Sequence, residues 1–290
     1  MTATETSFTL SDADFRRVSE LVYKHCGINL HEGKRELVQG RLAKQLRIHK
    51  FSRVSEYLDH VTKDPSKAEF DEFIDSLSTN LTSFFREVAH FHHLTDAFLP
   101  ALIAKRKRDK KASLRAGAPG CSTGEEPYSL TMTLVDTLEK HDAADWDVRL
   151  LATDICTRVL KQAEAGVYPK AKLQGIPPEF RNRFLQPVNA RAGRNAAPGS
   201  DQLMTMSQEL RQRIRFRYLN LMTPWPFSGP FDFIFCRNVM IYFDKPTQEK
   251  LVNRYWDLLE PGGLLFTGHS ESLTGINHKF KYVKPTIYQK

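Results

Sequence analysis

The chain has 290 residues, 41% hydrophobic and 26% charged, a composition typical of a folded globular protein large enough for two domains. It contains no run of 18 apolar residues and begins with a polar segment, so we expect neither a membrane span nor a signal peptide. Its four cysteines lack C-x-x-C spacing, which disfavours a metal or disulfide framework and predicts a reducing, cytoplasmic location. The net charge of +8 predicts an acidic partner.

Residues 1–77 predict an all-helical domain with no strand-like alternation. Ser11 is the expected N-cap of a first helix, which Gly27 ends. A second helix is expected to begin near Gly33, and two more are predicted over 54–62 and 68–77.

The second helix concentrates positive charge: seven basic residues and one acid lie between Gly33 and Arg53. Arg41, Lys44 and Arg47 are three residues apart and are expected opposite the apolar stripe of the same helix. Two interpretations stay open, a solvated surface and a docking surface for an acidic helix or a nucleic-acid backbone. Exposed aromatics between the basic residues are missing, which disfavours nucleic acid.

Residues 78–90 form an unusual linker that combines an amide, hydroxyls, two aromatics and an arginine. A junction capped by Thr82 or Ser83, ahead of a helix beginning near Arg86, is the simple interpretation. His90, His92 and His93 do not share a helix face, and no carboxylate pair supports them, so we predict no metal site there.

The turn Gly120–Ser129 joins a predicted strand, 113–118, to an amphipathic helix, the layout of nucleotide sites in α/β folds. It lacks G-x-G-x-x-G and carries Glu125 and Glu126, both expected at the lip of the site. Two carboxylates would repel a pyrophosphate and attract a cation. S-adenosylmethionine, with a sulfonium and an ammonium group, is such a ligand. The alternative is a capping box between Thr123 and Glu126 without further function.

Further strands alternate with helices, which predicts a mostly parallel α/β sheet with its ligand at the carboxyl ends of the strands. The expected strands are 147–153, ending in Asp154, 231–237, ending in Asn238, 264–267 and a single last strand, 282–288. Asp154 occupies the position that holds a ribose diol in such folds, and an N-cap role is compatible with it.

The alternation breaks down between about residues 169 and 218. Strand-like segments at 184–188, 203–207 and 214–218 flank a polar, arginine-rich loop at 189–201. This pattern predicts a small antiparallel β-subdomain inserted in the sheet domain.

Four segments in this order and spacing resemble the CheR-type chemotaxis receptor methyltransferases: Thr79–Arg86, Ser122–Ser129, Phe235–Asp244 and Gly268–Glu271. The resemblance covers nearly the whole chain. It implies a class I, Rossmann-like methyltransferase domain at 91–290, with a β-subdomain inserted at about 169–218, behind a helical receptor-docking domain at 1–77 and a linker, 78–90, that contributes to the cofactor site. The implied activity is methyl transfer from S-adenosylmethionine to chemoreceptor glutamates, giving methyl esters and S-adenosylhomocysteine.

The resemblance also implies site residues, carried over by motif. The cofactor-binding set is Asn80, Thr82, Arg86, Glu126, Asp154, Asn220, Leu221, Arg237 and Asn238. Arg86 and Tyr242 are expected nearest the transferred methyl group. A glutamate carboxylate is ionised at neutral pH, so the reaction needs alignment rather than a strong base. Arg41, Lys44 and Arg47 would then dock the acidic methylation helices of the receptor's cytoplasmic bundle, with the enzyme acting as a monomer.

The chain departs from the family pattern at Gly117 and Pro119, where an aromatic residue and an alanine are usual. These residues predict weaker packing and one missing ladder donor beside the cofactor turn. The 189–201 loop looks longer than in members that tether to a receptor's C-terminal pentapeptide, so we expect no such tether. The alternative functions are a methyltransferase of another acidic protein or of a small molecule, and a non-catalytic S-adenosylmethionine-binding regulator.

Overall fold

The computed structural model describes residues 8–64, 68–188 and 203–290. The helices are α1 Asp12–Cys26, α2 Arg35–His49, α3 Val54–Lys63, α4 Ala68–Leu77, α5 Val88–His93, α6 Leu99–Arg108, α7 Glu125–Lys140, α8 Thr157–Ala165, α9 Pro178–Phe184, α10 Gln208–Arg213 and α11 Lys245–Leu258. The strands are β1 Ser113–Pro119, β2 Asp147–Asp154, β3 Val167–Pro169, β4 Leu185–Pro187, β5 Leu203–Met206, β6 Ile214–Tyr218, β7 Phe231–Cys236, β8 Leu259–Thr267, β9 Lys281–Lys284 and β10 Ile287–Gln289.

Helices α1 to α4 pack around a hydrophobic core of their own. The Ser11 hydroxyl accepts a hydrogen bond from the Asp14 amide at 3.1 Å, and α1 ends at Gly27 in a left-handed conformation, as predicted for both ends. The buried residues of α2 include Val38, Leu42 and Leu46, the predicted apolar stripe. Amphipathic periodicity therefore predicted this four-helix unit well, because each helix buries one apolar face in this shared core.

The large sheet has seven strands in the order β6-β2-β1-β7-β8-β10-β9. The five strands from β6 to β8 run parallel, and only β10 and β9 are antiparallel to their neighbours. The chain winds outward in one direction from β1 and in the other from β7. Ligands of open α/β sheets bind at such a reversal, beyond the carboxyl ends of the strands. The predicted fold class, a mostly parallel α/β sheet with a helical N-terminal domain, is confirmed.

Two strand predictions are wrong. Segment 214–218 was expected in the small antiparallel subdomain, but it is β6 of the large sheet and pairs in parallel with β2. Residues 282–288 were expected to form one strand, but Pro285 and Thr286 interrupt them and β9 and β10 pair as an antiparallel hairpin. In both places a short apolar segment reveals its strand propensity but not its pairing partner.

A separate three-stranded antiparallel sheet, β3-β5-β4, forms the small subdomain. The 189–201 loop, from which we expected the absence of a receptor tether, lies outside the described residues. In the part of the chain that the structure describes, no helix has the length and apolar character needed to cross a membrane.

Candidate active site

A cleft of about 270 Å³ opens at the carboxyl ends of β1, β2 and β7. The helical domain contributes one wall through residues at the end of α1 and the start of α2, and the sheet domain contributes the other. Every residue predicted for cofactor binding or catalysis lines this cleft: Asn80, Thr82, Arg86, Glu126, Asp154, Asn220, Leu221, Arg237, Asn238 and Tyr242. Segments far apart in the sequence therefore meet at the position that the strand order favours.

The turn after β1 depends on two glycines with positive φ. Gly120 has φ 72°, and a Cβ there would lie 2.2 Å from Val239 Cγ2. Gly124 has φ 96°, and a Cβ there would lie 2.7 Å from the Tyr168 hydroxyl oxygen. The N-cap of α7 is Gly124, not Thr123, and the helix has no side-chain cap hydrogen bond, so the alternative interpretation, a capping box between Thr123 and Glu126, does not hold.

The two glutamates of this turn face different surroundings. Glu126 lines the cleft, but Glu125 does not, so the expectation that both lie at the lip is wrong for Glu125. The Glu125 carboxylate accepts a hydrogen bond from the Thr123 hydroxyl at 2.6 Å and lies 3.6 Å from Lys172 Nζ. Successive helical residues point about 100° apart, and one of an adjacent pair is therefore turned away from the cleft.

Glu126 forms a buried ion pair with Arg237, whose Nε donates to Glu126 Oε2 at 2.6 Å. Burial raises the pKa of Glu126, and the Arg237 charge opposes that rise. Among the described residues, no donor is hydrogen-bonded to Glu126 Oε1. The glutamate thus combines one fixed oxygen with one that is available to a ligand in the cleft.

Arg237 also connects the sheet to the linker. Its Nη1 donates to the Arg86 carbonyl oxygen at 2.6 Å, lies 3.1 Å from His90 Nδ1 and lies 3.4 Å from Glu87 Oε2. With only 1% of its side chain exposed, the guanidinium is effectively withdrawn from water. Because it contacts Glu126 and the Arg86 backbone at once, Arg237 fixes the linker against the cofactor turn.

His90 is a buried member of this network that the sequence did not assign to the site. Its Nδ1 accepts from Arg237, so its Nε2 carries the proton and donates to the Thr286 hydroxyl oxygen at 2.7 Å. Burial, with the Arg237 charge, lowers the pKa of His90 to about 3, and the ring is neutral at physiological pH. A histidine beside a predicted site arginine was the available signal, but nothing in the sequence places Thr286 next to it.

Potential metal-ligating atoms of Glu87, His90 and His269 lie within 4.8 Å of one another. The Arg237 guanidinium, however, already contacts both Glu87 and His90, and its positive charge opposes a metal cation at the same place. His269 has 62% of its side chain exposed. Glu87 and His90 are therefore better described as partners of Arg237 than as ligands of a metal centre.

Asp154 at the end of β2 is held by two backbone amides. Its Oδ2 accepts from Ser122 N at 2.8 Å and its Oδ1 from Cys156 N at 2.9 Å. Burial raises the pKa of Asp154, and the backbone hydrogen bonds oppose that rise. Cys156 is the N-cap of α8, so Asp154 orders the start of that helix while its carboxylate still lines the cleft.

The segment after β7 is anchored by Glu271, to which sequence analysis gave no role. Glu271 Oε2 accepts from the Asn238 and Gly268 amides at 2.7 and 2.6 Å, and Oε1 accepts from the Ile241 amide at 3.1 Å. These bonds fix the segment that presents Asn238 and Tyr242 to the cleft. The acid in the Gly268–Glu271 motif was the signal that could have identified it.

The linker follows a constrained path past the cleft. Residues Phe85 and Glu87, on either side of Arg86, have φ 51° and 57°, and Ser122 and Asn238 have φ 49° and 59°. Non-glycine residues rarely adopt this left-handed conformation, and its grouping around one site is typical of functional positions. Helix α5 begins at Val88 with Glu87 as N-cap, so the predicted cap at Thr82 or Ser83 is wrong.

Arg41 does not lie on the exposed face that the sequence predicted. Its guanidinium donates to the carbonyl oxygens of Leu77 and Ser78 and, at 3.0 Å, to the Thr79 hydroxyl. These contacts tie α2 to the start of the linker, and the Thr79 carbonyl oxygen in turn lies 3.4 Å from the Tyr242 hydroxyl. Lys44 and Arg47 are exposed as expected. The spacing correctly placed the three basic residues opposite the apolar stripe of α2. It did not reveal that the linker covers this face at Arg41.

Asn220 connects the two domains beside the cleft. Its side-chain amide donates to the His25 carbonyl oxygen at 2.6 Å, and its Oδ1 accepts from the Met222 amide at 3.0 Å. The neighbouring Leu221 carbonyl oxygen accepts from Arg254 Nη1 at 2.7 Å. The wall beside Leu221 is thus built from backbone held by both domains.

The two residues that depart from the family pattern, Gly117 and Pro119, lie at the end of β1 and have modest structural effects. Pro119 lies beyond the pairing of β1 with β7, which covers Ala116 and Gly117. The amides of Gly120 and Cys121 donate to the Thr153 carbonyl oxygen at 2.7 and 3.0 Å, which continues the contact with β2. A small pocket of about 20 Å³ lies beside Gly117, where a Cβ would lie 3.4 Å from Ile234 Cγ1, and the weaker packing expected there stays a prediction.

Comparisons with known proteins place this cleft in a family. The family described as "CheR methyltransferase, all-alpha domain" matches residues 13–78, and "CheR methyltransferase, SAM binding domain" matches residues 80–289. The chain belongs to the CheR methyltransferase family. The predicted resemblance is confirmed, and with it the cofactor, S-adenosylmethionine.

Full-length relatives agree with this assignment. A chemotaxis protein methyltransferase of Klebsiella aerogenes is 42% identical over 96% of this chain and 90% of its own length. Chemotaxis protein methyltransferase 2 of Pseudomonas aeruginosa is 40% identical over 97% and 94%. The Escherichia coli chemotaxis protein methyltransferase is 39% identical over 96% and 91%. The chain is therefore an S-adenosylmethionine-dependent methyltransferase of chemotaxis.

The residues of the cleft fit this cofactor. Two buried carboxylates, Glu126 and Asp154, line a site for a ligand that carries a sulfonium and an ammonium group. A cation beside either carboxylate would favour its ionised form, against the effect of burial. The cofactor supplies a methyl group bonded to a positively charged sulfur.

Proposed function

We propose that the protein methylates glutamate side chains of chemoreceptors, giving glutamate methyl esters as an adaptation step in chemotaxis. The observation that carries the proposal is a cleft with two kinds of polar groups. It is lined by the buried carboxylates of Glu126 and Asp154 and by the half-buried side chains of Arg86 and Tyr242, which carry hydrogen-bond donors. Carboxylates suit the cationic methyl donor, and hydrogen-bond donors suit an anionic acceptor such as glutamate.

Arg86 is the residue proposed to orient the substrate carboxylate. Its Nη1 donates to the Leu81 carbonyl oxygen at 3.2 Å, and its backbone carbonyl is held by Arg237. A guanidinium has five N–H donors, so donors remain for the two oxygens of a glutamate. An arginine whose backbone and side chain are both fixed can align an incoming carboxylate without further ordering.

Tyr242 is the second group proposed to act at the transferred methyl. Burial raises the pKa of Tyr242, which keeps its hydroxyl protonated at neutral pH; its hydrogen bond to the Thr79 carbonyl oxygen, 3.4 Å long, is weak enough to be exchanged for one to a closer acceptor. Methyl transfer to an ionised carboxylate forms an oxygen–carbon bond and breaks the carbon–sulfur bond, with the electron pair going to sulfur. No proton moves in this step, so neither Arg86 nor Tyr242 needs to act as a general base.

The cofactor-binding roles of the remaining cleft residues belong to the same proposal. Asp154 would accept hydrogen bonds from the ribose hydroxyls, since both of its oxygens are already oriented by backbone amides. Glu126 would accept from the cofactor through Oε1. The exposed side chains Lys44 and Arg47 would attract the acidic helices of the receptor, and Arg41 would act through the linker instead.

The test is label transfer from S-adenosylmethionine with a tritiated methyl group to membranes that contain chemoreceptors. The proposal predicts labelled receptor that releases volatile methanol in base, because methyl esters are base-labile. Membranes with receptors whose methylated glutamates are replaced by glutamine serve as the matched control and should stay unlabelled. Label that resists base, or that enters another protein or a small acid instead, would contradict the proposal.

A further inference from the structure

Three large apolar side chains stay exposed around the opening of the cleft. Leu37 lies on α2, Leu81 in the linker between α4 and α5, and Ile241 in the turn after β7, with exposed fractions of 42%, 83% and 48%. All three line the cleft. Single exposed apolar residues are normal, but a group at the opening of a site indicates a binding surface. We call Leu37, Leu81 and Ile241 the apolar rim.

The backbone of the apolar rim is fixed, so its exposure is a built feature rather than the result of a loose loop. The Leu81 carbonyl oxygen accepts from Arg86 Nη1 at 3.2 Å. The Ile241 amide donates to Glu271 Oε1 at 3.1 Å. The same segments that turn polar groups into the cleft therefore hold these apolar side chains outward.

Positive charge continues from the apolar rim along α2. Leu37, Lys44 and Ile48 follow one another at i, i+7 and i+11, the spacing of one helix face. Lys44 is exposed, and Ile48 has 53% of its surface exposed. The face thus presents apolar and basic groups in one line that begins at the cleft. Its complement is an elongated partner with acidic and apolar side chains on one side.

We propose that the apolar rim seats an apolar side chain of an acidic amphipathic helix, about one turn from the glutamate that enters the cleft. On a helix, residues three or four positions apart share a face. A glutamate inserted between Arg86 and Tyr242 would therefore bring its helical neighbours over Leu81 and Ile241. The rim favours a helical protein over a small carboxylic acid, which could reach the cleft but could not cover the rim. This inference rests on the proposed function.

The test uses the purified cytoplasmic fragment of a chemoreceptor as the substrate. Leu81→Ser and Ile241→Ser should each raise the KM for this fragment about tenfold, the effect of truncating a well-buried apolar contact. Calorimetry should show a Kd for S-adenosylhomocysteine within about twofold of wild type, since neither side chain carries a polar group for the cofactor. Leu81→Met, which keeps the apolar surface, should restore most of the affinity for the fragment.

Tyr282→Ser is the matched control, because Tyr282 is another exposed apolar residue (65%) and lies on β9, outside the cleft. It should leave the KM unchanged. If the wild-type enzyme transfers no methyl to the fragment, the proposed function fails and the rim proposal fails with it. If the wild type methylates the fragment and both rim variants keep its KM, only the rim proposal is overturned. A wild-type dimer that Leu81→Ser dissociates in sedimentation would also overturn it, by assigning the rim to a second copy of the chain.

Discussion

Charged side chains have opposite surroundings in two neighbouring regions, the inner wall of the cleft and the α2 surface beside it. In the inner wall, Glu126, Asp154 and Arg237 are buried, and each makes hydrogen bonds to neighbours that fix its orientation. The outer wall is the exposed face of α2 beside the cleft; its Lys44 and Arg47 do not line the cleft, and they make no ion pair or hydrogen bond with any described residue. Buried charges need partners, whereas exposed charges are solvated and remain free to meet another molecule.

This difference explains how one protein can bind two ligands of opposite charge, a cationic cofactor and an acidic protein. A preorganised, water-excluded wall is suited to a small cofactor that is the same molecule in every reaction. A solvated wall with basic and apolar groups is suited to a protein, which brings its own carboxylates and its own apolar surface. Variants of the two walls should therefore differ in which ligand they affect and in how strongly they affect folding.

The largest effect is expected for Arg237→Ala. The change removes the cation that faces Glu126 and Glu87 and leaves their buried carboxylates unpaired, with a loss of about 3–5 kcal/mol in the free energy of unfolding. Urea denaturation measures this loss. Arg149→Ala is the control, because its ion pair with Asp147 is half exposed and should contribute at most about 1 kcal/mol. A similar small loss in both variants would mean that the inner wall is not organised by Arg237.

A smaller, pH-dependent effect is expected at His90. The pKa of His90 is lowered from 6.5 to about 3 on folding, so below pH 6.5 the unfolded chain binds a proton that the folded protein does not. The stability contributed by neutral His90 is present above pH 6.5 and falls as the pH drops towards 3, by about 2 kcal/mol at pH 5.

His90→Asn isolates this contribution, because an amide can accept from Arg237 and donate to Thr286 but does not titrate. Urea denaturation of this variant should show a weaker loss of stability between pH 7 and pH 5 than wild type. The exposed His92→Asn is the control and should follow wild type. Equal pH dependence in wild type and His90→Asn would show that His90 is not buried in its neutral form.

Arg41 and Lys44 sharpen the comparison within a single helix. Arg41→Ala removes donors from two backbone carbonyls and the Thr79 hydroxyl, so the free energy of unfolding should fall by about 1–2 kcal/mol. Lys44→Ala, one turn away and exposed, should change it by less than about 0.5 kcal/mol. Thermal denaturation of the two variants measures the difference. Equal stability of the two variants would indicate that Arg41 is exposed on the docking face, as its spacing predicts.

Local patterns predicted the scaffold of the site well. The strand–turn–helix layout predicted the position of Gly120–Ser129. The expected strand ends predicted Asp154, the last residue of β2, and Asn238, shortly after β7, at the same sheet edge. The reason is physical: the carboxyl ends of parallel strands lie side by side whatever their order in the sheet. Motifs then supplied the linker residues, and the whole predicted set lines one cleft.

Contacts between distant segments were the part that the sequence could not predict. Whether Glu125 faces the cleft depends on the rotation of α7 about its axis. Whether the Arg41 guanidinium is exposed depends on the path of the linker. His90 was considered only with His92 and His93, because its partners Arg237 and Thr286 are about 150 and 200 residues away. Helical spacing shows which residues share a face but not what covers that face.

Calorimetric titration with S-adenosylhomocysteine of Glu126→Gln beside Lys44→Glu tests the division between the walls most directly. In Glu126→Gln an amide oxygen can still accept from Arg237, but the negative charge in the cleft is lost, and the Kd should rise at least about tenfold. In Lys44→Glu the Kd should stay within about twofold of wild type, although the KM for the receptor fragment should rise. An unchanged Kd in Glu126→Gln, or an equal rise in Lys44→Glu, would contradict the separation of a cofactor wall from a protein-binding wall.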